Sequence, residues 1–208
     1  MFTSATVRAG TAAGCRTRLV YWERKMSSTN NDDEVFEVFD ENNSLVGTAR
    51  RADVHTEGLF HRAVNVVLVD DAARVLLQKR SAAKKINGSM WDVSVGEHLN
   101  PGESYAAGAA RGLWEELGIP AETAGENLVE VVPPRLVKHD YPEIGKRDYE
   151  FVALYAWRGF DPTTVDVVVD GVEVDEVAWV PISGLAEGAD DRTPTLEETV
   201  PVLVEQFQ

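Results

Sequence analysis

Residues 91–119, WDVSVGEHLNPGESYAAGAARGLWEELGI, decide how the rest of the chain reads. Trp91, Val93 and Val95 alternate with Asp92 and Ser94, the period of a half-buried strand. Pro101 and Gly102 then break the chain. From Ser104 onward Ala106, Ala109, Ala110, Leu113 and Leu117 fall on one helical face. Ser104 is the expected N-cap and Gly118 the expected stop. Glu115 and Glu116 lie in the last turn, off the apolar stripe. Two adjacent carboxylates face the negative end of the helix dipole there, a conflict that a cation would relieve.

Working outward, the chain has 208 residues, enough for one sizeable domain with appendages. The net charge is −15, which sets the surface against duplex nucleic acid and anionic membrane as partners. No apolar run is long enough to span a membrane. A single cysteine, Cys15, excludes an internal disulfide framework and a multi-cysteine metal site. The charge is uneven: residues 1–29 hold five Lys/Arg and one acidic residue, Glu23. That Ser-, Thr-, Ala- and Arg-rich leader suits an organellar transit peptide, which would place the protein in a mitochondrion or plastid. Without that role it is a tail or lies upstream of a start at Met26, and the protein is cytoplasmic. Residues 1–32 are therefore set apart as a disordered leader, 33–58 as an N-terminal β-hairpin extension and 59–208 as the main domain.

The pattern predicts strands at 35–39 and 45–49 joined by a turn, then His61–Val69 and 74–79. After the central helix come a β-prone stretch at 128–137, a polar loop at 138–146, and strands at 148–157 and 172–180. Pro133 and Pro134 suit an edge strand or a bulge. A short helix at 181–187 and an amphipathic helix over Pro194–Phe207, kinked at Pro201, close the chain. Strands surrounding helices without regular βαβ alternation argue for an α/β/α sandwich with a mixed sheet.

The central stretch resembles the Nudix box, G-x5-E-x7-R-E-U-x-E-E-x-G-U with U aliphatic. Counting from Glu103 puts Arg111, Leu113, Glu115, Glu116, Gly118 and Ile119 in register. Two positions depart: Glu97 stands in the opening glycine slot, and Gly112 stands where the first Glu of the core belongs. The resemblance extends over about residues 34–207. It is strongest to the branch related to isopentenyl-diphosphate isomerases, through EVFDENNSLVGTARRADVH, LFHRAVNVVLVD, LLQKRSAAKK and WDVSVGEH. It implies a Nudix-type α/β/α sandwich. It also implies metal-binding histidines at His55, His61 and His98, acidic ligands at Asp148, Glu150 and Glu116, and diphosphate-holding cations at Arg80 and Lys85. The catalytic cysteine of that branch is replaced by Gly96, which offers neither proton nor base for allylic isomerisation.

What remains is metal-dependent cleavage of a diphosphate bond in a small molecule, nucleoside or isoprenoid, with Mg²⁺ or Mn²⁺ as the hard cation. An isomerase-like activity and a diphosphate-binding module without turnover stand as alternatives. The candidate metal ligands are Glu103, Glu115, Glu116, His98 and Glu150; Glu103 has the alternative task of orienting Arg111. Glu116, Glu115, Arg111 and Glu150 are the candidate catalytic set, with Glu143 as another source for the carboxylate missing at Gly112. Lys79, Arg80, Lys84 and Lys85 form the candidate phosphate clamp. Trp91 and Trp114 either flank substrate or pack in the core. A homodimer is left open.

Overall fold

A computed structural model describes residues 32–169 and 171–208. The expected leader, Cys15 and most of the expected polar linker at 27–33 lie outside the described residues. The elements in chain order are β1 (Val35–Phe39), β2 (Leu45–Arg50), α1 (Arg51–Glu57), β3 (His61–Val69), β4 (Arg74–Arg80), β5 (Trp91–Asp92) and β6 (Val95–His98). They continue with α2 (Tyr105–Leu117), α3 (Ala121–Asn127), β7 (Val129–Tyr141), β8 (Lys146–Arg158), β9 (Val174–Pro181) and α4 (Pro194–Phe207).

β3 is the axis of the sheet. It runs parallel to β8 from His61↔Glu150 to Val69↔Arg158, and antiparallel to β6. The main sheet follows the order β5-β4-β3-β8-β7, with β6 on β3 and β9 on β4, so it is mixed. β3 is apolar on both faces because both are covered. Val64, Val66 and Leu68 pack under α2 and α3 with Leu113, Leu117, Ile119 and Ala124. Val67 and Val69 pack under α4 with Leu196, Val200 and Leu203. The result is the α/β/α sandwich that the strand pattern implies.

The helix caps follow the sequence. Ser104 Oγ accepts from the Ala107 N–H at 3.2 Å, and Gly118 ends α2 at φ 70°, a left-handed conformation that suits glycine. α4 starts on the Thr193 hydroxyl, which accepts from the Leu196 N–H. Pro201 lies inside α4 without ending it.

Four expectations are corrected. Residues 91–95 do not form one half-buried strand. β3 and β4 share the single pair Val69↔Val75 and then diverge, and β5 and β6 fill the gap by pairing with different strands. Asp92, Val93, Ser94 and Val95 are all buried as a result. The 138–146 loop is mostly strand, because Lys138 to Tyr141 pair with Tyr149 to Lys146 around the turn Pro142–Ile144. α1 is a helix within the segment expected to be only a hairpin. α3 follows Pro120, whose fixed φ suits a helix start, and was likewise not expected. Pro133 and Pro134 do lie on an edge strand, beside register shifts in β7.

Ser94 holds the split between β3 and β4. Its Oγ accepts from the Leu68 N–H at 2.9 Å and donates to the Leu76 carbonyl at 2.5 Å, with no exposure to solvent. Ser94→Ala leaves two backbone groups buried and unpaired, so urea unfolding should show a loss of about 2 kcal/mol. A loss under about 0.5 kcal/mol would show that the strands close up without the hydroxyl.

Candidate active site

The helix end is organised by Arg111. Its Nε and Nη2 donate to the two Glu103 oxygens at 2.9 and 2.8 Å, a two-pronged pair. Nη2 also donates to the His98 carbonyl at 2.8 Å, and Nη1 to Glu115 at 3.0 Å with Glu97 at 3.4 Å. Glu103 additionally accepts from the Asn100 N–H. Burial pushes the Glu103 carboxyl up, but these bonds outweigh it and hold its pKa below the ordinary value. Glu103 is thus bonded to Arg111, the geometry of its orienting role, and does not line the cavity.

Beside Arg111, Gly112 leaves a gap that β6 fills. A Cβ at residue 112 would lie 2.7 Å from Val95 Cγ1 and 3.1 Å from Glu97 Cβ. Burial raises the Glu97 carboxyl to about 7 against the pull of Arg111, and Glu115 and Glu173 add to the rise. Burial likewise pushes Glu116 well above its ordinary value, reinforced by Glu97 and Glu173 and opposed by Lys84 and Arg80. These carboxylates crowd one another in a partly dry place, and a cation is the natural relief.

A second cluster sits at the N-terminal end of β3. α1 supplies His55, β3 opens with His61, β6 ends on His98, and β8 carries Asp148 and Glu150. One donor atom from each of His55, His61, His98 and Asp148 lies within 4.8 Å of all the others. The His61 Nε2 stands 3.4 Å from Glu150 and 3.5 Å from Asp148, and the His55 Nε2 3.4 Å from Asp148. His61 Nε2 and Asp148 Oδ1 are buried yet have no hydrogen-bond partner. The other ring nitrogens face carbonyls: His55 Nδ1 donates to Arg51 at 2.8 Å and His61 Nδ1 to Leu59 at 3.1 Å. With Nδ1 committed to a carbonyl, each ring aims Nε2 inward, the arrangement of metal-ligating histidines. His98 differs, because its Nδ1 faces the Arg51 guanidinium at 3.4 Å, a contact that must loosen for Nε2 to ligate. Two histidines with a carboxylate, and a third within reach, fit a divalent ion.

Burial lowers the His98 pKa far below normal, and the charges of Arg51, His61 and His55 deepen the fall. For His61 burial also pulls down, but Glu150 and Asp148 prevail and its pKa is raised. Glu150 is the mirror case: burial pushes up, and His61 brings it below the ordinary value. Phe36 stacks on His61 and His98 with centroids 5.4 and 4.7 Å apart, sealing the cluster with an apolar ring.

A cavity of about 330 Å³ joins the two clusters. Glu97, Glu115, Glu116 and Arg111 line it from the helix side, His55, His98, Asp148 and Glu150 from the other, and Arg80, Lys84 and Lys85 from the basic loop. The candidate clamp is thus brought to the cavity except for Lys79. On the pleat of β4, Lys79 points away from the face that Gln78 and Arg80 share, and its ammonium lies 5.7 Å from the Trp91 ring. Trp91, Trp114 and Glu143 do not line the cavity either, and Glu143 sits exposed in the turn after β7. The three clamp cations that reach the cavity are paired: Arg80 with Asp92 at 3.1 Å, Lys84 with Glu173 at 2.8 Å and Lys85 with Asp32 at 2.9 Å. Glu97 was noted in the sequence only as a departure. Its signal was the reciprocal placement of Glu97 and Gly112, which spacing alone could not connect.

A mixed sheet between helices, with an acidic helix end facing a basic loop, is the Nudix architecture. A crystal structure from Deinococcus radiodurans shares the fold at TM-score 0.60 and 21% identity, covering 81% of this chain and 98% of that one. The chain belongs to the Nudix family: the NUDIX domain profile matches residues 59–201. It is 35% identical over 165 residues to a protein of Streptomyces griseus named isopentenyl-diphosphate Delta-isomerase, covering 77% of this chain and 79% of that one. It is also 42% identical over 86 residues to an uncharacterized Nudix hydrolase of Streptomyces coelicolor, where it spans about half of the relative, 48%, and 41% of itself.

Two outcomes follow from this geometry. Gly112→Ala should lower stability by about 1–3 kcal/mol in urea unfolding, because its methyl meets Val95 in a packed layer. Millimolar Mn²⁺ should raise the melting temperature by selective binding to the folded state, and His61→Gln should remove much of that rise. An unchanged rise in His61→Gln would place the ion elsewhere.

Proposed function

We propose that this protein hydrolyses the diphosphate bond of a small polar organic diphosphate with Mg²⁺ or Mn²⁺. The observation that carries the reading is a single cavity lined by a histidine–carboxylate cluster, a carboxylate-bearing helix end and a basic loop. His55, His61, His98, Asp148 and Glu150 would hold one ion, and Glu115 and Glu116 bind on the helix side. When bound, divalent ions neutralise phosphate charge and acidify a water. Glu116 lines the cavity at the helix end, and its second carboxylate oxygen would take up that water's proton. Arg80 and Lys84 exchange their carboxylate partners for phosphate oxygens and so orient the leaving phosphate. Arg111 stays bound to Glu103 and holds Glu115 in place.

The wall of the cavity favours a polar organic group over an isoprenoid. Asn65, Gln78, Asn87 and Asn100 line it, while Ala52, Ala63 and Ile86 are the aliphatic side chains among its described lining residues. A prenyl tail would find little apolar surface to cover.

The second reading is isomerisation of isopentenyl diphosphate, favoured by the names of relatives such as the Streptomyces griseus protein. Gly96 stands in the cavity wall where that chemistry needs an acid. Deuterium incorporation from heavy water into isopentenyl diphosphate decides between them, and hydrolysis predicts none.

A panel of nucleoside and sugar diphosphates with Mg²⁺ should give released monophosphate, abolished by chelator. Glu116→Gln should reduce kcat by about 100-fold or more. Full activity in that variant would remove Glu116 from the chemistry.

A further inference from the structure

The Nudix box of this chain carries a reciprocal exchange: a Glu at the glycine position, residue 97, and a Gly at a glutamate position, residue 112. In the fold the two positions touch. Glu97 Cβ and Cγ lie 3.1 and 3.4 Å from the point where a Cβ on residue 112 would stand. The side chain of Glu97 leaves β6 on the same face as Val95, which packs under α2 with Ala109 and Leu113. It passes across the bare backbone of Gly112 into the cavity that Glu115 and Glu116 also line. Arg111 Nη1 contacts the Glu97 and Glu115 carboxylates at 3.4 and 3.0 Å, bringing both oxygens to one nitrogen.

We propose that Glu97 restores from the strand the carboxylate that Gly112 removes from the helix, so that Glu97, Glu115 and Glu116 together hold a divalent ion separate from the one at the histidine cluster. The exchange is sterically linked. A side chain at 112 would collide with Val95 and Glu97, and without Glu97 the gap at Gly112 would stand open beside a buried glutamate. Glu116 is 3% exposed, in a place where an additional carboxylate is costly unless a cation shares it. Hard carboxylate oxygens select Mg²⁺ or Mn²⁺ over softer metals. The inference rests on the metal-dependent reading above, and it adds a residue and a second ion to it.

The alternative role for Glu97 is to steady Arg111, as Glu103 does. Mn²⁺ titration of the full chain, with free ion read by electron paramagnetic resonance, separates the two. The wild type should bind two ions per chain. Glu97→Gln, an isosteric change, should weaken one of them by about tenfold or more and leave the other unchanged, whereas Glu103→Gln should change neither by more than about threefold. Equal losses in Glu97→Gln and Glu103→Gln would overturn the proposal while leaving hydrolysis by the wild type intact. A wild type that binds no Mn²⁺ would overturn both readings. The triple variant Val95→Ala/Glu97→Gly/Gly112→Glu returns the carboxylate to the helix and removes the methyl that would block it. Recovery of the lost ion in that variant is the expected result, and a folded triple variant that still lacks it counts against the proposal.

Discussion

The guanidinium of Arg111 is the tie on which the site depends. It joins three segments that the chain brings from different directions: the turn before α2 through Glu103, the end of β6 through the His98 carbonyl and Glu97, and the last turn of α2 through Glu115. Burial pulls the Arg111 pKa down, but Glu103, Glu97 and Glu115 outweigh it and raise it, so the guanidinium stays charged. A fixed planar fork suits this task better than a flexible ammonium, because each donor has its own acceptor. Without it Glu97, Glu103 and Glu115 would repel one another in a half-dry pocket, a loss of several kcal/mol by the usual cost of breaking a buried pair.

The second constraint is where β3 begins. Its first residue, His61, pairs in register with Glu150 of the parallel strand β8, and β6 brings His98 alongside through Ala63. The segment before residue 59 completes this end. It contributes His55 from α1 and covers the imidazoles with Phe36 from β1. Residues outside the profile match thus build one wall of the cavity, and the hairpin, stitched to the sheet by the Phe39–Phe60 bridge, is part of the site.

Charge is unevenly placed at the cavity of a chain whose net charge is −15. Two of the cations at the cavity sit on carboxylates, Arg80 on Asp92 and Lys84 on Glu173. The carboxylates around the helix end, in turn, crowd one another beyond what Arg111 alone neutralises. Both arrangements place opposite charge across a short distance, where low dielectric makes it count.

Local pattern in the sequence was enough for the main strands, the capped helix α2 and the edge strand marked by Pro133–Pro134, and the box motif for Arg111, Glu115 and Glu116. Those features depend on period, on capping chemistry and on a motif, all of which act over a few residues, whereas His98 and Glu150 were legible only through the resemblance to the isomerase branch. What the tertiary structure decided depends on which segments become neighbours. Ser94 became a buried staple because β3 and β4 part beneath it, and Lys79 was turned from the cavity by the pleat of β4. Glu143 was left in solvent when β7 and β8 paired to their tips. Glu97 and Gly112, fifteen positions apart, read as two separate departures until packing of β6 against α2 set one side chain into the space of the other.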